Sequence, residues 1–198
     1  MRIDLSLFNY RFNLSLYSLG DVRTQGIHNR IKYTPYRVLF MDYDYYKIEW
    51  IIEEIEFFIN KFKLGDFIIL RTSNKGFHAI CFDILTAEEE KKILALSGCD
   101  ESFKSSYKWD FRSKVLRITE KGNTQAPQFV RIVKSPYNKN RLKSAGHYLL
   151  YKKIFKLKTL IYNKSQFLKT NYNTSEIDKN NIIYEVSCID YPTKNNIK

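Results

Sequence analysis

Carboxylates are missing from a long part of this chain. From Lys121 to Ser175 there is no Asp or Glu, while Lys and Arg recur throughout. Cysteine is scarce: Cys81, Cys99 and Cys188 are odd in number, far apart and without a Cys-x-x-Cys pair. That spacing argues against a disulfide framework and against a zinc knuckle or an iron–sulfur site. No stretch reaches the roughly 18 apolar residues that a membrane-spanning helix needs. The opening Met1-Arg-Ile-Asp-Leu lacks the uncharged apolar segment of a signal peptide, so a cytoplasmic, reducing location and no membrane partner are expected. No paired His-x-His motif is present, which disfavours a rolling-circle nicking enzyme. No Walker sequence is present either, which removes a helicase motor.

What is present is enough for a packed core. The 198 residues suit one ordinary domain, and 44% hydrophobic with 16% aromatic content argues against global disorder. The formal net charge of +12 points to a polyanionic partner, most commonly nucleic acid. Lys, Asn, Ile and Tyr are abundant together, as in an AT-rich coding sequence, so the placement of charge says more than its sum.

Residues 3–19 partly alternate apolar and polar, which predicts one or two short strands. Residues 20–36 read as a long basic loop. Val38 to Met41 is a wholly apolar run, suited to a strand covered on both faces. From Tyr45 the period changes: Ile48, Ile51, Ile52, Ile55, Phe58, Ile59 and Phe62 recur at helical spacing. Asp44 is expected as the N-cap of that helix, with Lys61, Lys63 and Gly65 at its end. Phe67–Leu70 and Phe77–Leu85 read as a hairpin around Ser73-Asn-Lys-Gly, where Gly76 is free to take positive φ. Thr86-Ala-Glu-Glu89 is a capping box opening a helix to about Ser97. Residues 100–111 suggest another short helix. Val115–Thr119 and Phe129–Val133 read as a second hairpin, 142–162 as a basic amphipathic helix, and the stretch from about Asn171 as either a poorly ordered tail or a further strand at 182–186. The result is an α/β (α+β) chain with a mixed sheet, whose parallel pair would be Val38–Met41 and Phe67–Leu70. Residues 1–135 would form the core and 136–198 a basic helical extension with a partly flexible tail, packed on it.

Two stretches carry chemistry. Arg37-Val-Leu-Phe-Met-Asp-Tyr-Asp44 ends a strand on two acids that point to one face, roughly 6–7 Å apart along the chain. Strand ends are where ligands bind in open α/β sheets, and Mg²⁺ favours one or two carboxylates with phosphates completing its shell. Ser73-Asn-Lys-Gly-Phe-His78 joins a hydroxyl, a Lys and a His on a tight turn, a plausible phosphate cradle. Arg117 lies among apolar residues on the Val115–Thr119 strand and reads as a phosphate or carboxylate partner. In the acid-free region Lys139, Arg141, Lys143, Lys152, Lys153, Lys156 and Lys158 are interleaved with Tyr137, Tyr148, Tyr151, Phe155, Tyr162 and Phe167. Cations neutralise phosphates and aromatic faces stack on unpaired bases. The alternative is a helix whose aromatics face the core.

Taken together, Val38-Leu-Phe-Met-Asp-Tyr-Asp44, Ser73-Asn-Lys-Gly-Phe-His78 and Trp109-Asp110 resemble the three motifs of the archaeo-eukaryotic primase superfamily, the primase-polymerases. The resemblance covers roughly residues 36–120. It implies an RRM-like catalytic core of a plasmid or virus type and a two-metal nucleotidyl transferase using Mg²⁺ or Mn²⁺. Asp42, Asp44 and Asp110 would hold the metals, with Glu120 as a second choice for the third ligand. Ser73, Lys75, His78 and Arg117 would contact a nucleoside triphosphate, and single-stranded DNA would be the template. A helicase or replication initiator is the implied partner. The zinc-binding cysteines of some relatives are absent. Two other functions fit the same residues: a non-catalytic single-stranded nucleic-acid-binding replication protein, and a metal-dependent nuclease.

Overall fold

The computed structural model describes residues 2–7, 10–15, 24–31, 34–44, 46–105, 114–157, 162, 166–167 and 188–191. The chain starts with an antiparallel hairpin, β1 (Arg2–Leu7) and β2 (Tyr10–Ser15). The expected basic loop is interrupted by a strand, β3 (Thr24–His28). Its register rests on backbone pairing to strands from far along the chain, which no local pattern in this polar stretch announces.

β4 (Arg37–Asp44) is followed by α1 (Ile48–Phe62), β5 (Phe67–Arg71) and β6 (Gly76–Leu85). With β8 (Gln128–Val133) these strands form a sheet in the order β4-β6-β5-β8. β4 and β5 run the same way but do not pair. β6 lies between them, antiparallel to both. The expected parallel pair is therefore split, and every pairing between named strands is antiparallel rather than mixed. The cause is local. The turn folds β6 straight back onto β5, with the Thr72 N–H donating to the Gly76 carbonyl at 2.9 Å. β6 is the longest and most completely buried strand of its sheet, so it takes a central place.

α1 buries Ile51, Ile55, Phe58 and Ile59. Its N-cap is Lys47, which has no side-chain cap bond, so Asp44 stays at the strand end and does not cap the helix. Lys63 closes it in the left-handed region at φ 54°. α2 (Ala87–Leu96) opens with the expected capping box: the Glu89 N–H donates to Thr86 Oγ1 at 3.2 Å, and the Thr86 N–H to Glu89 Oε2 at 2.9 Å. α3 (Glu101–Ser105) is short.

β7 (Val115–Arg117) does not pair with β8 as expected. It pairs with β3, which also pairs with β9 (Cys188–Tyr191), giving a second sheet in the order β7-β3-β9. The turn between β7 and β8 does form, with Lys121 and Thr124 exchanging backbone bonds and Gly122 at φ 55°. It connects two sheets rather than two partners. The strand expected at 182–186 falls outside the described residues. α4 (Ala145–Ile154) is shorter than the expected 142–162 helix.

Alternation along the strands divides the core in two. Leu39, Met41, Tyr43, Phe67, Ile69, Ala79 and Cys81 pack against α1 and α2. Val38, Phe40, Ile68, Leu70, Ile80 and Phe82 pack against Ile27, Leu116, and Tyr148 and Tyr151 of α4. Residues of the expected C-terminal extension thus enter the core directly. Among the described residues no helix is long and apolar enough to cross a membrane.

Lys143 belongs to this core. Its amino group is 2.7 Å from Asp83 Oδ1, and both side chains are 1% exposed. It also donates to the Asn138 carbonyl at 2.8 Å, while Asp83 Oδ2 accepts the Gly65 N–H at 2.6 Å. Removing one partner of such a pair strands the other charge. Lys143→Ala is expected to lower unfolding stability by about 3–5 kcal/mol in urea titrations. A loss below about 1 kcal/mol would mean that the pair contributes little.

Candidate active site

The two chemistry-bearing stretches are neighbours in the sheet. In the β4–β6 register Asp42 stands opposite His78, and Asp44 opposite Gly76. Both acids take the even-numbered face of β4, the side that packs toward β3, β7 and α4. Asp42 keeps 30% of its side chain exposed, whereas His78 keeps 5%.

Burial, and after it the positive charge of Arg117, pushes the His78 imidazole down to about 3, so the ring is neutral at physiological pH. Its Nε2 lies 3.6 Å from Asp42 Oδ1. That is too long for a hydrogen bond, and with a neutral ring it is no ion pair. His78 Nδ1 is buried without a partner. Asp42 is pushed up to about 7 by burial first, then by the charges of Asp44 and Asp100. Asp44 is raised by burial and by Asp100. Arg117 and Lys121 pull Asp42 the other way and do not prevail.

Asp100 is the acid that sequence reasoning missed. Its N–H donates to the Asp42 carbonyl at 2.9 Å, which ties the segment after α2 to the end of β4. Its own carboxylate is held below the usual range, chiefly by the Ser102 hydroxyl and also by the Phe103 N–H at 2.9 Å. In the sequence Asp100 reads only as the start of a short helix. Asp110, the third ligand implied by the resemblance, lies outside the described residues. Glu120 is exposed.

The hairpin turn is built without unusual backbone at Gly76, which does not take positive φ; Gly122 does. Gly76 answers a need for space instead. A Cβ there would meet Thr72 Oγ1 at 2.6 Å, Ser73 Oγ at 2.8 Å and Asp44 Oδ1 at 3.4 Å. Ser73 and Lys75 are exposed on the turn, and the Lys75 N–H donates to Ser73 Oγ at 3.3 Å. Arg117 is largely committed. It donates to the carbonyls of Thr119 at 2.6 Å, Gln125 at 2.8 Å and Thr72 at 2.9 Å. It clamps β7, the turn after it and the hairpin together, so its part at the site is to position the hairpin and to carry charge near Asp42.

The expected nucleic-acid face is divided. Lys143 is in the core, and Arg141 pairs with Glu89 at 3.0 Å. Lys152 is half-buried along Tyr148, its amino group 3.2 Å from the hydroxyl. Lys139, Lys153 and Lys156 are exposed, and Lys158 falls outside the described residues. The interleaved aromatics pack on one another: Tyr148 lies 5.0 Å from Tyr162 and 5.4 Å from Phe167 between ring centroids, and Tyr151 lies 5.6 Å from Phe155. Tyr148 and Tyr151 are buried, so their faces serve the core and not bases.

Two carboxylates on one face, both held above their normal range and lacking an ion-pair partner among the described residues, suit a divalent cation chemically. Among the described residues, no group of three His, Cys, Asp or Glu side chains is placed to hold a metal ion.

The raised Asp42 has a consequence for stability. Its folded-state value lies above its unfolded one, so what the protonated acid contributes is present below about pH 4 and is lost as pH rises through about 7. In chelator at pH 8, Asp42→Asn is expected to melt roughly 3–8 °C above the parent, the gap closing near pH 4. Mn²⁺ should stabilise the parent and leave the variant unchanged. An identical response of both proteins to Mn²⁺ would remove Asp42 as a ligand.

No protein-family model, curated protein or solved structure matches the chain, so the reading of this site rests on the residues themselves.

Proposed function

We propose that the chain is a template-dependent nucleotidyl transferase of the primase-polymerase type, extending a nucleic-acid strand in DNA replication. The observation that carries this reading is the β4–β6 register, which sets the Asp42–Asp44 pair beside His78 and the Ser73-Asn-Lys-Gly turn. The split arrangement, with β6 between β4 and β5, supports an RRM-like core.

In this reading the reaction is attack of a strand's 3′ oxygen on the α-phosphate of a nucleoside triphosphate, with pyrophosphate leaving. Asp42 and Asp44 hold Mg²⁺ or Mn²⁺, and Asp110 is the third ligand the resemblance assigns. Such ions, when bound, neutralise phosphate charge and acidify the attacking hydroxyl. The neutral His78 ring, fixed by burial, donates one hydrogen bond to a phosphate oxygen. Lys75 brings a charge and Ser73 a hydroxyl to the same turn. Arg117 keeps the hairpin in place. Lys139, Lys153 and Lys156, with Lys152 and Lys158, guide a single-stranded DNA template, and a helicase or replication initiator would deliver it.

The second reading is a single-strand-binding replication protein, which would use the exposed Lys139, Lys153 and Lys156 without nucleotidyl-transfer chemistry.

Labelled nucleotide incorporation on unprimed single-stranded DNA with Mg²⁺ or Mn²⁺ separates the two. The parent is expected to make product, and Asp42→Ala/Asp44→Ala to lose at least about a thousandfold of it. Product from the double variant would remove the acid pair from the chemistry. Tight DNA binding with no product from the parent would leave the binder. Strand cleavage without triphosphate binding would point to a nuclease.

Neutralising Lys152, Lys153, Lys156 and Lys158 to Gln is expected to weaken single-strand binding. It should lower the slope of log K against log salt by roughly 2–3, since each lost phosphate contact on a single strand removes about 0.7. An unchanged slope would make these lysines a solvated face.

A further inference from the structure

A cleft of about 400 Å³ lies outside the acid pair but shares its hairpin turn. It sits at the end of the β5–β8 pair, where Arg71 stands opposite Gln128. One wall is the turn with Thr72 and Ser73, and the other carries Asn123 and Gln125. Arg117 joins the walls by donating to the Thr72 carbonyl on one side and the Gln125 carbonyl on the other. The Gln128 amide donates to Gln125 Oε1 at 3.3 Å. The Arg71 guanidinium lies over the Phe77 ring, 5.5 Å from its centroid, and has no carboxylate partner among the described residues. Among the described residues no carboxylate lines the cleft.

This lining is selective in its chemistry. A purely anionic ligand would need more than one cation, and an apolar ligand would need apolar walls. Primary amides donate and accept at once, which matches sugar hydroxyls. The volume is in the range of small-molecule sites. The hydroxyls of Thr72 and Ser73 crowd Gly76 beside Asp44 Oδ1, so one wall of the cleft is also the rim of the acid pair.

We propose that this cleft seats the sugar of a nucleoside triphosphate whose phosphates lie on the Ser73–His78 turn, with the Asn123 and Gln125 amides bonding the sugar hydroxyls and the base left free to pair with a template. The inference rests on the nucleotidyl-transfer reading and adds the sugar, which the phosphate cradle leaves unassigned. Arg71 presents its flat guanidinium to the same ligand.

The test compares ATP with inorganic triphosphate, which has no nucleoside. Each displaces a fluorescent ATP analogue from the full chain in Mn²⁺. Asn123→Ala/Gln125→Ala removes two exposed side-chain amides and keeps the carbonyl that holds Arg117. ATP affinity is expected to fall about tenfold or more, the effect of two lost hydrogen bonds, while triphosphate affinity stays the same. The unchanged triphosphate affinity also shows that the variant is folded. Unchanged ATP affinity would overturn the cleft and leave the nucleotidyl-transfer reading intact. An equal fall for both ligands would overturn it too, because the amides would then act on the phosphates or on the fold. No binding of either ligand by the parent would overturn that reading and the cleft together.

Discussion

The antiparallel register between β4 and β6 is the constraint on which the rest of the molecule depends. It brings residues 36 positions apart in sequence face to face, Asp42 against His78, and leaves two carboxylates at the edge of an apolar sheet. The strand keeps that register despite the cost of desolvating Asp42. β4 buries Val38, Leu39, Phe40, Met41 and Tyr43, and each such side chain is worth about 1.5–3 kcal/mol. A slip of one residue would exchange every side chain between the faces. Five apolar anchors therefore hold one strained acid.

The strain has a direction. His78 gives no positive charge, because burial keeps it neutral. Arg117 spends its hydrogen bonds on three carbonyls. Asp100 adds a further negative charge. Repulsion and burial together outweigh the attraction of Arg117 and Lys121, so the pair favours a proton or a cation. The Arg117 bonds tie the turn and the hairpin into one hydrogen-bonded frame, which suits preorganised binding of charge. Gly76 contributes by being small: the hydroxyls of Thr72 and Ser73 and the Asp44 carboxylate close in on the space a Cβ would fill.

The basic half of the chain divides its work between fold and surface. Lys143 and Arg141 answer Asp83 and Glu89, and the aromatic series closes the lower core under α4. What remains for a polyanion is the smaller set of exposed lysines. High net charge is a poor guide to which residues are left to meet a polyanion. A cation in an acid-free run cannot reveal that its partner lies 60 residues upstream.

Local signals were legible wherever the deciding interaction is local. The helix over 48–62, the capping box at Thr86–Glu89 and the tight turn at 73–76 follow from side-chain period and short-range hydrogen bonds. The Asp42–Asp44 pair was legible as two acids on one face of a strand. Partnerships across the chain were not. The central place of β6, the pairing of β7 with β3 instead of β8, the approach of Asp100 and the burial of Lys143 are set by competition among strand edges and by burial. Residue pattern alone was enough for the helices and turns, the hydrophobic alternation of β4, and the identity of the charged groups at its end. Which of those charges stay unpaired was settled in the fold, because pairing and desolvation depend on what lies opposite in space.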